Sequence, residues 1–193
     1  ERLMQEVDAI CAAIPHDRLS IQWDSAHDMQ AFDGARQTWF SPAREGIVDR
    51  IVAAGDRVPA TVELGLHLCY GSFGGRHFVE PKSTAAMVEL TNAVLAKIRH
   101  PVAFVHMPVP VARNDDAYFK PLAGLKLAPG TELYLGVVHA ADGADGTKKR
   151  IAAASKYVKE FGIATECGMS RQRTPELVEK LLAIHAEVAQ EPR

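Results

Sequence analysis

Cysteine is scarce in this chain. Cys11, Cys69 and Cys167 are the three in 193 residues, an odd and widely spaced set that excludes a disulfide framework and predicts a reducing, cytoplasmic setting. Excess charge of either sign is also missing. Lys and Arg number 22 against 24 Asp and Glu, for a formal net charge of −2, and the two signs mix along the chain. That balance argues against a nucleic-acid partner or a polybasic membrane surface. No apolar run approaches the roughly 18–20 residues a membrane-spanning helix needs. Low-complexity stretches, repeats and linker-like segments are absent too, so a single domain over residues 1–193 is expected. The opening ERLMQEVDAI has neither signal- nor transit-peptide character. It lacks an initiating Met and starts inside a helical stripe, so an upstream part is expected.

What is present is ordinary globular material, 47% hydrophobic and 24% charged. Apolar positions Leu3, Met4, Val7, Ile10, Cys11 and Ile14 mark a first helix that Pro15 ends, with Cys11 read as core. Leu19–Asp24 alternates like a strand. Residues 28–40 read as a loop with a helical turn. Ser41-Pro42, with Glu45 as capping-box partner, opens a helix over 43–54 that stops at Gly55. A strand over 61–69 runs into a Gly-rich loop whose Arg76 and His77 suit an anionic ligand. A helix capped by Ser83 or Thr84 follows, then a strand ending near Met107 and a mixed stretch over 114–125. Strand 132–139, a helix from Thr147 to about Phe161, strand 162–167 and a helix over 175–189 complete the chain.

Strands alternating with helices predict an α/β fold with a parallel sheet. Five such units are too few to close a (β/α)8 barrel, leaving either an open sheet or the last five-eighths of a barrel.

The strand ends carry the chemistry. Asp24 ends the first, His67 and Cys69 the second, His106 the third, His139 the fourth and Cys167 the fifth. Taken singly, a strand-end His is most often a satisfied or solvated residue. Five consecutive strands delivering titratable or metal-competent side chains to one rim is the pattern of a βα active site. His67 and Cys69, at i and i+2, point to one side of a strand. With Cys167 they offer three ligands to tetrahedral zinc, leaving a position for substrate. Zinc with two thiolates is a modest Lewis acid, better suited to holding a substrate thiol ionised for alkyl transfer than to hydrolysis.

Four segments carry a family resemblance. HLCYGSF at 67–73 resembles the HMCYSNF-like segment of cobalamin-independent methionine synthases. GVVH at 136–139 is similar to their GVVD, ECGMSRQR at 166–173 to their DCGLKTR, and LSIQWD at 19–24 to the strand whose terminal acid binds the amino-acid substrate. The resemblance runs in order along almost the whole chain. It implies a (β/α)8 barrel of TIM type, of which this chain supplies strands four to eight, acting in methionine biosynthesis as a zinc-dependent methyltransferase. The methyl group would pass from a folate or other donor to homocysteine or a related thiol. His67, Cys69 and Cys167 match the zinc ligands and Asp24 the acid that holds the homocysteine amine. His106 stands where the family has a ligating Glu, which implies either a fourth ligand or a zinc left three-coordinate until substrate binds. His139 replaces the acid of GVVD. The family's proton-donating His falls on Ala141, and His139 is the candidate donor from a shifted position. A homo-oligomer or a missing N-terminal barrel segment would cover the open edges. The competing readings are a metal-free lyase or decarboxylase on the related uroporphyrinogen decarboxylase-like barrel, which leaves the two cysteines without a joint purpose, and a non-catalytic fragment or binding protein.

Overall fold

A computed structural model describes residues 2–73, 76–165, 167–169 and 171–190. In chain order the elements are α1 (Arg2–Ala13), β1 (Ser20–Asp24), α2 (Ala26–Phe32), α3 (Ala43–Gly55), β2 (Glu63–His67), β3 (Ser72–Phe73), β4 (Arg76–His77), α4 (Ala85–Leu95), β5 (Val102–Pro108), α5 (Asp116–Phe119), β6 (Glu132–Val138), α6 (Gly143–Ala154), β7 (Gly162–Thr165) and α7 (Pro175–Ala189). Short 3-10 turns lie at His16–Arg18 and Lys120–Gly124.

β1, β2, β5, β6 and β7 form one sheet in that spatial order, each pairing parallel to the next. The order follows the chain without the reversal that marks a doubly wound sheet, which is the arrangement of a barrel sector. Parallel neighbours need crossovers, supplied here by α3, α4, α5 and α6. One sheet face is covered by them. Leu64, Leu66, Val105, Met107, Leu133 and Leu135 point that way and are buried to within 2%. The alternate positions, among them Gln22, His67, Phe104, His106 and Tyr134, line a cleft on the other face. Two glycines shape that face. A Cβ at Gly65 would fall 2.0 Å from the Phe104 ring and one at Gly162 2.3 Å from the Tyr134 ring, so the rings lie across their neighbours' bare backbones and meet edge to face.

Some local expectations are corrected. Residues 28–40 begin within a true helix, α2, whose Met29 and Phe32 are core. The capping box at Ser41 does not form: Pro42 occupies the cap position and no side chain bonds there. α6 starts four residues before Thr147, because Gly143 turns the chain at φ +63° and Thr147 donates back to its carbonyl from inside the helix. It ends at Ala154, with Ser155 as C-cap, well short of Phe161. The loop after β2 is a small antiparallel hairpin, β3–β4, whose Gly74–Gly75 tip lies outside the described residues. Thr174 caps α7 as expected, accepting from the Leu177 N–H. Cys11 is buried core. Among the described residues no helix is long and apolar enough to cross a membrane.

Candidate metal centre

β2 ends at His67, and Leu68 extends the pairing by one bond, its N–H donating to the His106 carbonyl at 2.9 Å. Cys69 therefore stands just beyond the strand, not on it, yet remains beside His67. β7 ends at Thr165, so Cys167 also reaches the rim from a loop. The ligand atoms of His67, Cys69 and Cys167 all lie within 4.8 Å of one another, and the two sulfurs are 3.0 Å apart. Among the described residues this is the one group of three or more His, Cys, Asp or Glu side chains gathered closely enough to hold a metal ion. His67 and Cys69 are buried and Cys167 half-buried, at the floor of a cleft of about 880 Å3.

The surrounding chain fixes this trio. Gly71 donates its N–H to the Cys69 sulfur at 3.1 Å and takes φ +72°, and a Cβ there would strike the Phe78 ring at 2.5 Å. The Ser72 hydroxyl, buried on β3, sits 3.0 Å from the Cys167 sulfur and 3.2 Å from its carbonyl oxygen. Ser25 Oγ donates to the His67 carbonyl and Gln30 Nε2 to that of Tyr70, so α2 and its cap clamp the whole HLCY segment from behind. Ser72 and the Gly71 N–H are partners that sequence reading missed, although both lie inside HLCYGSF. Their signal was the Gly two residues after Cys69.

His106 pairs in register with His67, and the two imidazoles stack with their Nδ1 atoms 2.5 Å apart. One of these nitrogens must donate and the other accept, and with Nδ1 engaged, Nε2 is what His67 has left for the thiols. His106 thus stands behind His67 rather than in the trio. Burial, and then the neighbouring His67, pushes His106 down to about 3, so it is neutral at ordinary pH. The two thiols share their titration. The hydrogen bond from its neighbour favours the Cys167 thiolate, helped by His67 and Ser72, while the same bond, burial and the neighbouring charge hold the proton on Cys69. The pair therefore releases its first proton below the ordinary thiol range and its second above it.

Asp24 ends β1 directly opposite His67 and lines the cleft, its carboxylate accepting from Gln22 Nε2 at 2.8 Å. His139 lies apart. It is buried at the end of β6 with Nε2 on the Val109 carbonyl at 2.7 Å, and it borders a different cavity from the thiols.

No family model and no curated protein matches this sequence. Solved structures do. The chain is similar to a B12-independent methionine synthase from Shewanella sp. W3-18-1 in complex with selenomethionine, with a TM-score of 0.64 and 18% identity over 97% of this chain and 52% of that one. It is also similar to a putative vitamin-B12 independent methionine synthase from Listeria monocytogenes, at 0.57 and 16% over 97% of this chain and 53% of that one. What is shared is the fold. The chain spans about half the length of either neighbour, and its parallel five-stranded sheet is a partial, barrel-like version of the same α/β architecture.

The donor set fits the zinc that the resemblance implies. Two thiolates and an imidazole are its preferred ligands, and with metal–sulfur bonds of about 2.3 Å two ligand atoms on one ion lie no more than about 4.6 Å apart. The pairwise limit of 4.8 Å and the 3.0 Å sulfur separation are within reach of that requirement by side-chain rotation.

Proposed function

We propose that this chain forms the catalytic rim of a zinc-dependent enzyme that transfers a methyl or other alkyl group to a thiol, with homocysteine as the first acceptor to try and a folate or other methyl donor. We further propose that it supplies about the last five units of a (β/α)8 barrel. The observation that carries the reading is the convergence of His67, Cys69 and Cys167 at the C-terminal edge of the parallel sheet, beside a large cleft.

In this reading His67, Cys69 and Cys167 hold the metal, which when bound supplies a positive centre that keeps an acceptor thiol ionised near neutral pH. The protein's own groups do the rest. Ser72 and the Gly71 N–H hold the two sulfurs in place and partly satisfy their charge. His106 fixes the His67 ring through Nδ1, the role an outer hydrogen-bond partner plays for a ligating imidazole. Asp24, across the strand pair from His67, offers a carboxylate to the amine of an amino-acid acceptor. The acceptor sulfur then forms its bond to carbon as the donor's bond to that carbon breaks, the electron pair leaving with the donor, which takes up a proton. His139 is given no step, because it faces another cavity and its Nε2 is tied to a carbonyl.

Metal content decides first. Wild-type protein purified under reducing conditions should carry about one zinc per chain, and Cys167→Ser should lose it. Product analysis with homocysteine and candidate donors then tests methyl transfer. Metal-free wild-type protein that takes up no added zinc would end the proposal.

A further inference from the structure

A second cavity, of about 330 Å3, opens on the same rim and shares no lining residue with the thiol cleft. Val111, Leu177 and Leu181 give it an apolar wall, and His77, His139 and Arg173 bring nitrogen groups to it. His77 supplies the observation that asks for an occupant. Its side chain is 2% exposed and its Nε2 is buried without a hydrogen-bond partner, while Nδ1 faces Glu80 at 3.5 Å. A buried polar nitrogen left unpaired is destabilising, and native folds seldom bear this without a ligand or water to meet it.

The lining narrows the chemistry. Arg173 brings a guanidinium, a planar match for a carboxylate. Glu80 at the same cavity opposes a second negative charge on the ligand, which disfavours a phosphate dianion. The hydrocarbon wall suits an apolar body, and the volume is at the small end of the range for small-molecule sites. We propose that this cavity is a second ligand site that takes a small monocarboxylate with an apolar body, the carboxylate met by Arg173 and by His77 in the tautomer that carries its proton on Nε2, which the 3.5 Å separation of Nδ1 from Glu80 leaves open. The site stands whether or not the thiol cleft holds zinc. The hairpin is common to both: His77 pairs across it with Ser72, which contacts Cys167.

The test is a titration of the full chain with benzoate, using benzyl alcohol as its uncharged counterpart and inorganic phosphate as the anion without an apolar body. Histidine side-chain NMR reads His77 and calorimetry reads affinity. Benzoate should shift the His77 imidazole resonances saturably. Benzyl alcohol and phosphate should bind at least about tenfold more weakly, and Arg173→Gln should weaken benzoate by a similar factor, the loss expected for one charge-assisted hydrogen bond. Zinc content should not change. Leu177→Glu, which puts a like charge on the apolar wall, should abolish benzoate binding independently. No His77 shift up to about 10 mM benzoate, a range that would capture even millimolar binding, overturns the proposal. So does equal binding of phosphate or benzyl alcohol, or benzoate affinity that Arg173→Gln leaves intact. The wild-type titration needs no variant, so a variant that fails to fold does not shield the proposal.

Discussion

At the scale of single residues, the thiol pair and the two imidazoles are the reactive features. Because the Cys69–Cys167 contact and the neighbouring His67 and Ser72 favour one thiolate, metal-free protein should keep a reactive sulfur below the pH at which a free thiol, with a pKa of about 8.5, has lost its charge. Iodoacetamide labelling followed by peptide mass mapping should find one sulfur of the pair modified at a nearly constant rate from about pH 6 to 8, where a free thiol slows in proportion to its thiolate fraction. A rate that falls tenfold per pH unit across that range would contradict the shared proton. The linkage has a definite sign. The first dissociation is easier in the folded state, so over that range the unfolded chain binds more protons, and the stability contributed at high pH is lost as pH falls through the folded value. His106 makes a separate prediction. His106→Leu keeps bulk but frees the Nδ1 of His67, and zinc affinity by competition with a chelator should weaken about 10–100-fold. That His67 and His106 both come from strand ends on one rim was legible in sequence. That one imidazole backs the other was not, because it depends on the β2–β5 register.

Among elements, the join of β6 to α6 is held by a buried polar network. Arg150 has no exposed side-chain surface, and its guanidinium donates to the Val137 carbonyl at 2.8 Å, the Val111 carbonyl at 2.7 Å and both Asp142 oxygens at 2.6 and 2.7 Å. One side chain thus ties the helix back to its preceding strand and to the loop after β5. Removing one partner of a buried pair leaves the other charge uncompensated, at about 3–5 kcal/mol. Asp142 is 37% exposed, and water can replace part of its role. Asp142→Ala should therefore cost about 2 kcal/mol in urea unfolding, and a loss below about 0.5 kcal/mol, the range of an ordinary surface change, would show the network to be dispensable. Sequence reading placed α6 too late because Thr147 resembles a cap. Only the fold shows that Arg150 turns inward, where it engages Asp142 and two carbonyls. α7 is the contrasting case, since its Thr174-Pro175 start is set by local backbone chemistry and was readable at once.

For the whole molecule, the telling distance is the separation of 98 positions along the chain from Cys69 to Cys167. A metal held by both would fasten the β2 end of the sheet to the β7 end across β5 and β6. Zinc at about a thousand times its dissociation constant would add about 4 kcal/mol, which for a chain of this length corresponds to about 10 °C in Tm. Calorimetry before and after chelation should show that drop in the wild type and none in Cys69→Ser, and an unchanged wild-type Tm would exclude a metal that bridges the sheet. The α/β class, the single run of strand–helix units and the candidate ligands at their tips were determined by sequence alone, because hydrophobic period and turn chemistry are local properties. Which tips meet was decided by the tertiary structure. Strand order and parallel register bring Cys167 to Cys69, stack His106 behind His67 and send His139 to a separate cavity, and contacts between residues so distant in the chain exist only once the strands have paired.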